Sequence, residues 1–221
     1  MMMRLRFFPV LFLLFSVSPG AQTVERILET SGLSAGQRSA VLAEFEEAEV
    51  LGIPEAFLLP RIEEGMAKNV PAPRIIEVIR REREAFALAL GLLKETGYAG
   101  TDDTGPPVAE WQRTAHLLLS GLAEADTASL LRAFAERKEA FRQGTNLYLA
   151  LVKWGIDPED SLRLTSLAAI SPLAADSFMG IPEIFIEARR QRIRTVDIIE
   201  RTAQELPRSR SLDSLKNRVL Y

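Results

Sequence analysis

Few residues of this 221-residue chain are equipped for covalent chemistry. It holds one histidine, His116, and no cysteine. Thiol catalysis and Cys/His zinc clusters are therefore excluded. A serine triad would have to use His116, yet no Gly-x-Ser-x-Gly turn exists to present a nucleophile. His116 sits among Trp111, Ala115, Leu118 and Leu119 in a helical pattern, which favours a structural or surface histidine. Asp103-Thr104-Gly105 matches the short aspartic-protease tripeptide, but only once and without strand patterning around it, whereas that chemistry needs two carboxylates sharing a proton. Asp102-Asp103 lacks the spaced oxygen ligands of a calcium loop. Phosphate-cradling glycine motifs are absent, so neither a cofactor nor a metal is expected.

Carboxylates remain, since some glycosidases need only one or two acids. The acids fall in runs of surface type: Glu44, Glu46, Glu47 and Glu49, then Glu63 and Glu64. Glu44 and Glu47 are expected opposite an apolar face of Val41, Leu42, Phe45 and Ala48. Arginine is concentrated near the other end, where Arg189, Arg190, Arg192 and Arg194 fall within six positions. Guanidinium suits planar carboxylate or phosphate recognition, so these four are the candidate partner-binding residues. The competing reading is a solvated helix end with internal ion pairs. Trp111, Tyr148 and Trp154 either line a ligand pocket or pack in a core.

The elements that position these residues are helices. Ala, Leu, Glu and Arg abound, while alternating β-branched runs and hairpin turns are missing. The expected fold is all-α, with nine to eleven helices. Gly52-Ile53-Pro54-Glu55 recurs as Gly180-Ile181-Pro182-Glu183, and Gly155-Ile156-Asp157-Pro158-Glu159 is the same phrase with Asp inserted. Each reads as a helix joint: a left-handed Gly ends one helix, Ile packs back, and Pro opens the next. Asp157 is a fitting N-cap, Ser34 with Gln37 forms a capping box, and Thr195 is expected to cap a late helix. Pro71 and Pro73 open a long helix that Gly97 ends, with Ile76, Ile79, Phe86, Leu90 and Leu93 as its buried stripe and Arg83 interrupting it. Ser171-Pro172 reads as another helix start.

The glycine- and proline-rich segment 98–107 is the expected linker between helical units 22–97 and 108–206. Ser31-Gly32-Leu33 and Ser120-Gly121-Leu122 stand before corresponding stretches, so these halves read as a duplicated, repeat-like unit or as recurring helix punctuation. Beyond Pro207 lies a basic tail, 207–221, mobile unless docked.

The compartment is read from the start. Arg4 and Arg6 precede an eleven-residue apolar run, Phe7 to Val17, and small residues Ser18-Pro19-Gly20-Ala21 follow. Residues 1–21 are therefore expected to be a cleaved signal peptide, the run being short of the roughly 20 apolar residues of a span. The expected location is periplasmic or secreted, with no transmembrane segment in the mature chain. Loss of Arg4 and Arg6 takes the 27 basic residues to 25 against 30 acidic, an ordinary balance that implies no nucleic-acid role. The expected function is non-catalytic binding of another envelope or extracellular component, a protein or an anionic polymer, through the arginine-rich surface. The alternatives are a carboxylate-based enzyme cutting envelope glycan, and a carrier of an apolar ligand.

Overall fold

The computed structural model describes residues 21–98 and 106–221. The expected signal peptide, apart from Ala21, and residues 99–105 of the expected linker, with Asp102 and Asp103-Thr104-Gly105, lie outside the described residues. The described chain is all-α: eleven α-helices and no strand. They are α1 Ala21–Thr30, α2 Ala35–Val50, α3 Leu59–Ala67, α4 Ala72–Glu95, α5 Val108–Leu119, α6 Glu124–Ala133, α7 Phe141–Lys153, α8 Pro158–Ile170, α9 Ile181–Arg190, α10 Thr195–Glu205 and α11 Leu212–Leu220. No described helix is long and apolar enough to cross a membrane. Two compact units divide between Ile79 and Arg80, inside α4.

In the first unit α2 begins with the capping box: Ser34 accepts from the Gln37 N–H while Gln37 accepts from the Ser34 N–H. Its buried face is Val41, Glu44, Phe45 and Ala48, a strict three-four spacing. Glu44 thus sits on the apolar face and not opposite it, and Leu42 is only half-buried. Gly52 ends the helix at φ 72°, with Gly52 N–H bonded to Glu49 O and Ile53 N–H to Ala48 O. That pair of bonds defines a Schellman end, which satisfies carbonyls the last turn leaves open. Glu55 accepts the Val24 N–H at 3.1 Å and so caps the first turn of α1. Burial, the leading influence, lifts its carboxyl above the usual range against the pull of that bond.

Helix α4 is the long helix expected, but its buried face is Ile75, Ile79, Glu82, Phe86, Ala89 and Leu93. Ile76 and Leu90 lie one position to the side and are half-buried.

The second unit is a stack of helix pairs. Each of α5–α6, α7–α8 and α9–α10 is joined by one geometry. A left-handed residue (Gly121, Gly155 or Arg192, φ 96°, 79° and 59°) follows the first helix. The next residue, Leu122, Ile156 or Ile193, bonds back to the carbonyl five positions earlier. An extended residue then starts the second helix: Ala123, Asp157 or Arg194, with ψ between 141° and 152°. These joints stand at 121, 155 and 192, hence 34 and 37 residues apart. Between pairs the chain runs through 3-10 turns at Ala135–Ala140 and Ala175–Gly180. First helices pack in a row, α5 on α7 and α7 on α9, and second helices likewise, α6 on α8 and α8 on α10.

The core between the rows is built on Phe134, Phe141 and Phe178, with ring centroids 6.0 and 6.5 Å apart. Tyr98 joins this file at 5.1 Å from Phe141. Its hydroxyl donates to Lys138 O, and Lys138 Nζ donates to Tyr98 O, so the end of the α4 segment is fastened to the α6–α7 connection. Arg137, at an extended φ of −137°, closes the α8 end by donating to the carbonyls of Ala169, Ser171 and Leu173. Helix α11 closes the row: Leu215, Val219 and Leu220 are buried, and it packs on α9 and α10.

Three expectations about boundaries fail in this unit. Ser171 ends α8, its hydroxyl bonded to Ala168 O, and Pro172 is followed by an irregular turn. Arg194 and not Thr195 is the N-cap of α10. Gly180 is right-handed, at φ −80°, although its tetrapeptide is identical to the one at Gly52. There the missing side chain makes room for Leu212, whose methyl groups occupy the space a Cβ would take.

Candidate functional site

The four clustered arginines fall at the end of α9 and through the α9–α10 joint. They are all exposed, but three are already engaged. Arg189 Nη2 donates to Trp154 O at 3.4 Å. Arg190 stands 3.8 Å from Glu187. Arg194 holds Asp197 with two parallel bonds of 2.8 Å, which lower the Asp197 carboxyl below its usual range. The Arg192 side chain makes no hydrogen bond or ion pair among the described residues, although its backbone N–H bonds to Arg189 O. Arg192 carries a bulky, exposed side chain on a left-handed backbone.

The Arg189 bond brings the α9 end against the neighbouring α7–α8 joint. Trp154 lies there with 42 % of its surface exposed, so it is not part of the core. Trp111 and Tyr148 are. Trp111 Nε1 donates to Phe86 O at 2.7 Å, and its ring meets Phe86 edge-on. Tyr148 is buried, which raises its phenol above the usual value. One edge of the stack therefore presents the exposed Trp154 next to Arg189, the first of four exposed arginines that run on through the α9–α10 joint, with Val196 exposed nearby in sequence.

A second feature lies away from that edge, between α5 and α7. A hollow of about 350 Å³ is lined by Ala109, Gln112, Arg113, His116, Leu117 and Leu149. His116, exposed on α5, belongs to its wall. Arg113 Nη1 donates to Thr145 Oγ1 at 3.2 Å and to Asn146 Oδ1 at 2.9 Å. Charge density along the sequence gives no sign of Arg113, which stands alone in its helix. Its setting arises because α7 brings Thr145-Asn146 alongside.

The acids give no comparable assembly. Glu46, Glu47, Glu49, Glu63 and Glu64 are exposed. Glu64 is bonded to Lys68 at 2.6 Å and to Arg61 at 2.9 Å, which hold its carboxyl below the usual range. Glu84 and Glu124, at the rim of a shallow hollow with Leu88, Leu118 and Leu122, are exposed too. Among the described residues no group of three or more His, Asp or Glu is placed to hold a metal. No family model, no curated protein and no solved structure matches the chain.

Proposed function

We propose that this chain is an exported, non-catalytic binding protein whose stacked helix pairs meet another envelope or extracellular component along the Trp154–Arg194 edge. The reading is carried by one observation: an exposed indole stands beside a joint bearing four arginines, Arg189, Arg190, Arg192 and Arg194. Tryptophan and arginine are the residues that most often dominate binding energy at protein interfaces. The internal bonds of these arginines do not remove them from use, because exposed ion pairs are worth about 0–1 kcal/mol and are readily exchanged. Stacked helix pairs also suit a binding role, since each pair repeats a side-chain row that a long partner can follow. The partner this edge fits is anionic, either an acidic protein surface or an acidic envelope polymer.

The test is capture of envelope components by the full chain at two salt concentrations. Replacing Arg189, Arg190, Arg192 and Arg194 with Gln, or Trp154 with Ala, should weaken capture while the circular dichroism spectrum is retained. Raising the salt should weaken wild-type capture as well. Capture unaffected by both sets of substitutions would refute the reading.

A further inference from the structure

The guanidinium of Arg113 is clamped at one corner and open at the rest. Both hydrogens of Nη1 point to acceptors of α7, Thr145 Oγ1 and Asn146 Oδ1. Thr145 is fully buried and spends its own hydroxyl hydrogen on Arg142 O at 3.0 Å, so it faces Arg113 as a fixed acceptor. A guanidinium has five N–H groups. The Nε–H and the two Nη2 hydrogens have no bonded partner among the described residues, and both acceptors of Nη1 are neutral.

The surroundings are short of negative charge. Partial burial acts first to lower the Arg113 pKa below its ordinary value, Arg142 adds repulsion, and Glu110 opposes both. Arg142 is itself exposed and makes no ion pair among the described residues. Arg113 lines a hollow whose other polar walls are Gln112 and His116 and whose apolar walls are Ala109, Leu117 and Leu149. At about 350 Å³ it lies at the lower end of the range for small-molecule sites.

We propose that the hollow between α5 and α7 is a binding site for a small carboxylate bearing a short apolar group. The two carboxylate oxygens take the parallel N–H groups of Arg113, a match of planar forks that a tetrahedral anion makes less well. Gln112 and His116 donate from the side. The apolar group rests on Leu117 and Leu149. A free carboxylic acid and the C-terminal residue of a peptide share this chemistry. The site is separate from the Trp154–Arg194 edge, and neither stands or falls with the other.

Calorimetric titration of the full chain tests it, using N-acetyl-leucine, N-acetyl-leucinamide, acetate, inorganic phosphate, and Gly-Gly-Leu with a free or an amidated C-terminus. Saturable binding of N-acetyl-leucine is expected, at least tenfold tighter than its amide, acetate or phosphate. Gly-Gly-Leu binding tighter than N-acetyl-leucine assigns the site to peptide termini; the reverse order assigns it to free acids. Arg113→Gln should weaken binding at least tenfold. Gln112→Glu, an exposed change that leaves the Thr145–Asn146 clamp intact, should abolish it by placing a like charge in the hollow. A role for Arg113 confined to bracing α5 on α7 predicts no saturable binding by any of these acids. That outcome overturns the proposal, as does equal affinity for acid and amide or full binding by Gln112→Glu.

Discussion

Replacing Gly144 with alanine should destabilise the second unit, although the same change elsewhere in a helix helps. Gly144 lies in α7, and a Cβ built there falls among the Cζ, Cε1 and Cε2 atoms of Phe134. Phe134 is fully buried, and Phe141 and Phe178 hold its ring from two sides at 6.0 and 6.5 Å. The ring cannot swing away without moving its neighbours, so the overpacking cost belongs near the top of the usual range, about 3 kcal/mol. Better helix propensity returns about 1 kcal/mol, leaving a net loss of about 2 kcal/mol. Gly91 supplies the control, since it is exposed on α4 and a Cβ there meets nothing within 4 Å. Gly91→Ala should gain about 0.5–1 kcal/mol through a less flexible unfolded chain. Thermal melts of both variants should then straddle the wild type, with a gap of about 5–12 °C at the usual 2–4 °C per kcal/mol. Adding Phe134→Leu to Gly144→Ala should recover part of the loss. A Gly144→Ala protein that melts at or above the wild type would show that the ring has room, and the packing argument would fail.

Other outcomes follow from single positions. Gly180→Ala should cost about 1–3 kcal/mol through its clash with Leu212, and Leu212→Ala in the same chain should recover part of it in urea unfolding. Gly52→Ala should lose about 1 kcal/mol through its φ of 72°, with no neighbour whose trimming restores it. Arg192→Gly should stabilise by about 0.5–1 kcal/mol by relieving a left-handed side chain, and a loss would exclude strain at that joint. Burial, with Glu110 and Glu139 adding repulsion, raises the Tyr98 phenol above its ordinary 10.0, so the folded state holds the proton more tightly than the unfolded chain does. The stability tied to that proton is complete below pH 10 and is lost as pH climbs above it. Tyr98→Phe should flatten the alkaline fall in urea midpoint, and an unchanged slope would assign it to another group.

The sequence carries the helical class, the capping box and the joints at Gly52 and Gly155, because each depends on residues within one or two turns. It conceals the joints at Asn69 and Arg192, which have the same backbone bonds as the glycine joints without glycine to mark them. It misleads at Gly180, where an identical tetrapeptide serves a different purpose because the distant Leu212 lies on it. The offset stripe of α4 and the burial of Glu44 have a common origin. Composition suggests which residues prefer an interior, but the partner surface decides which side of the helix faces it. The same limit governs the sites. A run of four arginines is visible in any window, whereas Arg113 gains its setting only when α7 delivers Thr145 and Asn146 32 and 33 residues later.

The row of helix pairs in the second unit has two ends and little that ties one to the other. Substantial packing runs from each pair to the next, and α11 covers the last. Cooperativity in such an array is transmitted from neighbour to neighbour. Amide exchange should be slowest in α7 and α8, which have pairs on both sides, and should quicken toward α11. The Arg113 hollow, between the first pair and the second, and the Trp154 edge, between the second and the third, both border that slow centre. A ligand at either place would tighten the joint between two neighbours, and its effect would fade with each pair it has to cross.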